Sequence, residues 1–338
     1  GGTISVTNTV GTGGISSVDN NNSAEVTVKA EIGARITATA TPKTGYTFKR
    51  WRGAGISYPT NVNLSYLVGS DAEIKAEFKF PDIYVRGTNS AWYDSIPGAV
   101  AGNDITGTGS KQRPYATVSK ALSQCTEVGT AYTIFVAGTI EENTTLNIES
   151  GKKVTIVSLR KTTPAVIEEK RVSPTAEQYL VKTAGTLTLD SVILKANITG
   201  THVGNSVYVY GIQQTAGTVT VKGNTTEIRN FAHAVEVKGG TFTMEGGSIC
   251  NNYVNGGASG VEIGGGTFIL KDGSIKANAA TSMAGVYVKG ASTTNHGTFK
   301  MESGEISGNK AKCLGGGIYV DEHGKADISG GTIKNNSA

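Results

Sequence analysis

The fold is decided by the stretch Gly240-Thr241-Phe242-Thr243-Met244 and its returns. It comes back as Gly266-Thr267-Phe268-Ile269-Leu270 and as Gly297-Thr298-Phe299-Lys300-Met301, with a weaker copy at Gly324-Lys325-Ala326-Asp327-Ile328. Each copy follows a strand close to Gly-Val-x-Val and precedes Gly-Ser-Ile or a variant of it, then an asparagine. The spacing is roughly 23 to 32 residues, as in strand-and-turn arrays. Apolar and polar residues alternate within each strand, so one face is buried.

A unit of this size has three short strands and no helix, and it cannot cover its own apolar face. Its neighbours must do so. The prediction is an all-β chain whose main part is a right-handed parallel β-helix, one copy per coil, with coils about 4.8 Å apart. Like residues then stack. Phe242, Phe268 and Phe299 form one interior column; Ile228, Ile249, Ile275, Ile306 and Ile333 form another. Asn230, Asn251, Asn278, Asn309 and Asn335 follow the isoleucines and are expected to form an amide ladder at a tight turn.

The composition agrees. The 338 residues include 46 glycines and only 7 prolines, and glycine supplies the positive-φ corners that coils need. A net charge of +4 is spread without a basic stripe, which argues against nucleic acid. No apolar run is long enough to span a membrane. Both ends read as cuts in a longer protein, the C-terminal one inside a repeat. Cys125, Cys250 and Cys313 are too few and too far apart for a disulfide framework or a zinc motif.

Residues 1–80 read as a separate small β domain. Strands are expected at Thr3–Val6, Glu25–Ala30 and Arg35–Thr41, with a Gly/Asn-rich loop to Ser23. Tyr46, Phe48 and Trp51 can enter a small core, and Val62, Leu64 and Tyr66 alternate, as do Ile74, Ala76 and Phe78. Trp51 is read as a core residue rather than a sugar platform. The run Ala38-Thr39-Ala40-Thr41-Pro42, then Gly45-Tyr46-x-Phe48-x-x-Trp51 and the closing Ile74-Lys75-Ala76-Glu77-Phe78, resembles the divergent InlB B-repeat domain; the insert Thr9 to Ala24 departs from it. The resemblance implies an extracellular spacer module of bacterial surface or secreted proteins.

The β-helix is assigned to 81–338, with Pro81 at the boundary. Its entry shows a strand at Ile83-Tyr84-Val85, a polar loop with Asn103-Asp104, a helix near 114–126 starting by Pro114, and a strand ending in Gly138-Thr139. This order resembles the entry of secreted right-handed β-helix proteins of the pectate-lyase-like superfamily. The helix is expected to cap the open first coil. The glycine-rich coils from 233 onward also resemble repeats of bacterial polymorphic outer-membrane proteins and adhesins.

Several residues are candidates for chemistry. The outward position of the Gly-Val-x-Val strands gives a column of Gln213, Glu236, Glu262, Tyr287 and Tyr319. Stacked, Glu236 and Glu262 would lie roughly 5 Å apart, the spacing of a retaining glycosidase pair, yet side by side they repel unless a cation such as Lys238 offsets them. Catalysis, a ligand-binding face and a solvated surface all stay open for this column. His296 and His323, with Asp321 and Glu322 beside them, are a weak metal set against the plainer reading of exposed turns. Asp94, Asn103 and Asp104 are a weak calcium set, and calcium is the one cofactor left open. The arginine of lyase chemistry is missing, since Arg229 is the last arginine in the chain. The favoured expectation is a cell-surface or secreted adhesin-like β-helix protein that meets glycan or host protein along its coil face, without catalysis. A polysaccharide lyase or glycoside hydrolase is the alternative.

Overall fold

The computed structural model describes residues 2–9, 15–19, 27–43, 46–53, 56, 60–70, 73–79, 82–170, 177–197, 209–290, 292 and 296–338. Thr44 and Gly45 of the turn motif, Pro81, residues 10–14 and 20–24 of the N-terminal insert, and most of the 290–295 insert lie outside them. The chain divides into two compact units, Gly1–Pro81 and Asp82–Ala338.

In the first unit, Arg35–Pro42 pairs antiparallel with Gly2–Thr9 on one side and Asn63–Leu67 on the other. Thr47–Gly53 pairs with Ile74–Lys79. Inside the expected loop, Ile15–Asp19 is instead a strand paired with Thr27–Ala30. The core gathers Val6, Ile36, Ala38, Ala40, Trp51 and Leu64, with Phe48 and Phe78 packed against it. Phe48 and Trp51 are three apart, so a regular strand would aim them to opposite faces. A register shift between Phe48 and Arg50 supplies the extra residue, and both side chains reach the core. Trp51 is fully buried and its indole N–H donates to the Asn61 carbonyl at 3.0 Å. Val62 lies outside this core and is exposed.

The second unit is a parallel β-helix. Each coil contributes strands to three ranks, and like ranks pair in parallel from coil to coil. The first rank includes Lys153–Ser158, Thr186–Asp190 and Thr218–Lys222. The second includes Ala165–Glu169, Val192–Ala196 and Glu227–Arg229. Two ten-residue strands, Thr241–Cys250 and Thr267–Lys276, run through the corner and join these ranks into one sheet. The third rank forms a separate sheet, from Leu146–Ile148 through Gln178–Thr183, Val209–Gln214, His233–Val237, Val261–Ile263 and Val286–Val288 to Ile318–Val320.

The predicted columns are in register. Phe242 opposes Phe268, and Phe268 opposes Phe299; the first two rings stack with centroids 4.9 Å apart. The isoleucine column runs through Ile140, Ile167, Leu194, Ile228, Ile249, Ile275, Ile306 and Ile333. All but the last are fully buried.

The asparagine ladder differs from its predicted membership. It consists of Asn252, Asn278, Asn309 and Asn336. Each of the first three donates its backbone N–H and its side-chain amide to the Oδ1 of the next, at 2.8–3.2 Å. Asn230, Asn251 and Asn335 sit one residue earlier, with φ of 62°, 55° and 55°. Asparagine suits both positions for different reasons. At the first it tolerates left-handed backbone; at the second its amide can both give and accept.

The capping helix is Val118–Ser123, shorter than expected. Residues ahead of it are used otherwise: Tyr115 bridges to Val85, and its N–H and carbonyl bond to Tyr84 and Arg86. Thr117 is the N-cap and accepts from the Lys120 N–H. Val118, Ala121, Leu122 and Cys125 are buried, as their helical spacing predicts, and the helix packs on first-coil strands.

Candidate functional site

The third rank carries the candidate site on its outer face. Val181, Ile212, Val235, Val261 and Val286 point inward, so the residue after each points out. Register places Gln213 beside Glu236, Glu236 beside Glu262, Glu262 beside Tyr287, and Tyr287 beside Tyr319. All five predicted residues therefore form one row, with Lys182 extending it beyond Gln213.

The row is not uniformly open. Gln213 is only 7% exposed, and its amide donates to Glu236 Oε2 at 2.7 Å. This bond orients the Glu236 carboxylate. Glu236 also pairs with Lys238 at 3.1 Å, and Glu262 pairs with Lys289 at 3.6 Å. These lysines offset the expected repulsion. Burial raises the Glu262 pKa, and the neighbouring Glu236 charge adds to that, while Lys289 opposes it. Tyr287 donates to Asp321 Oδ2 at 3.1 Å; burial and then that carboxylate push its pKa up to about 12, so it stays a phenol. The Tyr287 and Tyr319 rings are 5.8 Å apart and tilted by 43°.

A second group on this rank was missed in the sequence. Tyr179, Tyr210 and His233 occupy one register position on three successive coils. Their rings stack at 4.6 and 4.5 Å. Both phenols donate to Glu177, at 3.1 and 3.2 Å, and the Lys182 ammonium lies 4.2 Å from the Tyr179 ring centroid. Stacking covers ring faces with other rings, so this group offers edges and hydroxyls rather than a flat platform. Burial raises both tyrosine pKa values and lowers that of His233, so burial favours the uncharged form of all three. The signal was present as an aligned aromatic two residues before the inward apolar residue in Tyr179-Leu180-Val181 and Tyr210-Gly211-Ile212, with His233-Ala234-Val235 continuing it.

The weak metal sets do not assemble. Among the described residues no group of three or more His, Cys, Asp or Glu side chains could hold an ion. His296 bridges to Gly290, and Asp321 is turned to Tyr287 and the Glu322 N–H. Asp104 accepts from the N–H groups of Ala116 and Thr117 and from the Thr117 hydroxyl. Asn103 caps its own turn through the N–H groups of Ile105 and Thr106, and Asp94 pairs with Arg86. The expected calcium ligands thus hold the entry loop in shape. The cysteines are free thiols, two buried and Cys313 exposed.

Residues 3–80 match the family model of the divergent InlB B-repeat domain. Domains of that family occur in bacterial surface proteins, and the match points to a protein of that broad class. No curated protein and no solved structure matches the chain significantly. The family match ends at residue 80; the parallel sheets of residues 82–338 are compatible with the expected β-helix, and no pectate-lyase-like family matches them. No helix among the described residues is long and apolar enough to cross a membrane.

Proposed function

We propose that the protein is an extracellular adhesin-like module of a bacterial surface. Its β-helix binds glycan or host protein along the outer face of the third rank, and the B-repeat unit serves as spacer. The observation that carries this reading is the continuous row Glu236, Glu262, Tyr287 and Tyr319, backed by the B-repeat match. Carboxylates balanced by lysines and the Tyr287 phenol held by Asp321 favour many shallow polar contacts over bond breaking. The test is binding of the full chain to glycan and host-matrix protein arrays. Tyr287→Ala with Tyr319→Ala should weaken any ligand found by about tenfold or more; binding indifferent to both changes would sink the assignment of this face.

A second reading, as polysaccharide lyase or glycoside hydrolase, draws on the adjacency of Glu236 and Glu262 and the raised pKa of Glu262. Under it, the chain depolymerises a polysaccharide and Glu236→Gln abolishes the cleavage. Absence of products from a broad polysaccharide panel removes it.

A further inference from the structure

A groove of about 610 Å³ opens between the entry loop and the first coil, away from the third-rank row. Its size falls in the range of about 300–1,000 Å³ usual for small-molecule sites. Thr88, Asn89 and Ser90 line it from the loop, Thr117 from the helix cap, and Thr139 and Glu141 from the first coil. The wall is therefore mixed: hydroxyl and amide groups, the Asp94 and Glu141 carboxylates and the Arg86 guanidinium, beside the small apolar faces of Ala91, Ala101 and Ala116.

The walls are fixed before any ligand arrives. Thr88 and Thr139 exchange both backbone hydrogen bonds, at 2.9 and 2.7 Å. Gly87 lies so close to this strand that a Cβ there would strike the Thr139 carbonyl. Arg86 clamps the loop from one side: its guanidinium donates to Ser90 Oγ at 3.0 Å, to the Val100 carbonyl at 2.9 Å, and to Asp94. Next to this clamp, Asn89 holds φ at 54° with its side chain exposed on the wall. Asparagine tolerates that backbone, so the turn is held without a glycine.

Charge narrows the ligand. The one cation on the wall, Arg86, donates from each of its nitrogens to Ser90, Val100 or Asp94, and Asp94 offsets its charge. Glu141 remains, shared with Lys170 at 2.6 Å. An anionic sugar would meet carboxylates and find no free cation on the wall, whereas the hydroxyls of an uncharged polyol could donate to those carboxylates and to the wall hydroxyl oxygens, whose own protons Thr88, Ser90 and Thr117 give to Thr139, Gly87 and Asp104.

We propose that this groove is a second binding site, selective for the end of a neutral oligosaccharide and closed to uronates. It is independent of the third-rank face. The test is titration of the ¹⁵N-labelled full chain with a panel of neutral mono- to trisaccharides and with trigalacturonate. At least one neutral sugar should shift the amides of Thr88, Asn89 and Ser90 saturably, and trigalacturonate should not. Ala101→Trp, which fills the groove from an exposed lining position, should weaken that binding about tenfold or more. Tyr287→Ala should leave it unchanged, so failure of one site is readable apart from failure of the other. The proposal is overturned if no neutral sugar saturates at millimolar concentration, if trigalacturonate binds as well, or if Ala101→Trp keeps full affinity while its spectrum stays folded.

Discussion

The late coils and the entry of the β-helix solve the same physical problem in opposite ways. In the late coils, the buried asparagine at the turn after the second rank bonds to its own copy one coil on. Asn252, Asn278, Asn309 and Asn336 hand hydrogen bonds along in one direction, and each Nδ2 also reaches a carbonyl of the coil before it. At the entry there is no preceding coil to bond to. There Asp104 and Glu142 serve once each, by receiving the N–H groups around the start of the capping helix. Repetition lets one residue type do the same work many times, whereas a boundary needs residues used nowhere else.

The strongest way to break this contrast is Asn278→Leu. It would leave the backbone N–H of Asn252 and the Ile249 carbonyl, both on the preceding coil, without this partner, while the Asn252 amide keeps its bonds to Ile228 and Cys250. Asn278 is fully buried, and each buried group left unpaired costs about 1–3 kcal/mol. A loss of about 4 kcal/mol in urea unfolding is expected. Asn251→Ala, one corner position earlier, should cost only about 1 kcal/mol, because φ of 55° is what it disturbs. Equal losses at positions 251 and 278 would mean that the amides are not a ladder.

Glu142 tests the other plan. It is fully buried, with Oε1 receiving the Val118 N–H at 2.5 Å and Oε2 the Ser119 N–H at 3.4 Å. Burial pushes its pKa up to about 7, against the pull of those donors and with a push from Asp104; Glu169 occupies the paired position on the next strand. The folded state thus holds this proton more tightly than the unfolded chain, whose value is near 4.5. Its contribution is full below that value and is lost as pH rises through about 7. The loss is about 3 kcal/mol at most. Melting should accordingly fall between pH 5 and pH 8, and Glu142→Gln should flatten that slope. A slope unchanged in the variant would assign the pH dependence elsewhere.

The same contrast decides what could be read from the sequence. The Phe and Ile columns were legible because the residue repeats at the position where it stacks, and the row from Gln213 to Tyr319 because outward positions follow from inward ones. The ladder was misassigned by one residue at Asn251 and Asn335, because asparagine fills two adjacent corner positions there; Asn230 precedes Phe231, so its coil has no ladder member. Only Ala277 and Gly308, where the first position is not asparagine, separate the two registers. Trp51 was placed in the core by its type, but the bulge that turns it inward leaves no mark in the alternation of the strand. The roles of Asp104 and Glu142 were not legible at all. Each depends on N–H groups of residues 12 to 24 positions away, brought near only when the helix folds over the first coil. The covered state of Gln213 was hidden for the same reason.

The smallest effect sharpens the first-corner half of the comparison. Ala277 sits in register between Asn251 and Gly308 and holds φ at 53°, where it is exposed and its Cβ buries nothing. Left-handed backbone costs an L-residue about 1–2 kcal/mol. Glycine escapes that cost but gives back about 0.4–1 kcal/mol through its freer unfolded chain. Ala277→Gly should therefore raise stability by about 0.5–1 kcal/mol in urea unfolding, with Asn278 and its ladder intact. Gly308 offers the reverse change in the next coil. A Cβ there would meet nothing closer than 4.0 Å, so Gly308→Ala should cost about as much as Ala277→Gly gains. Opposite signs of similar size would show that backbone handedness alone governs the first corner position. Two losses would instead mean that Ala277 makes a contact in the folded coil that glycine cannot replace.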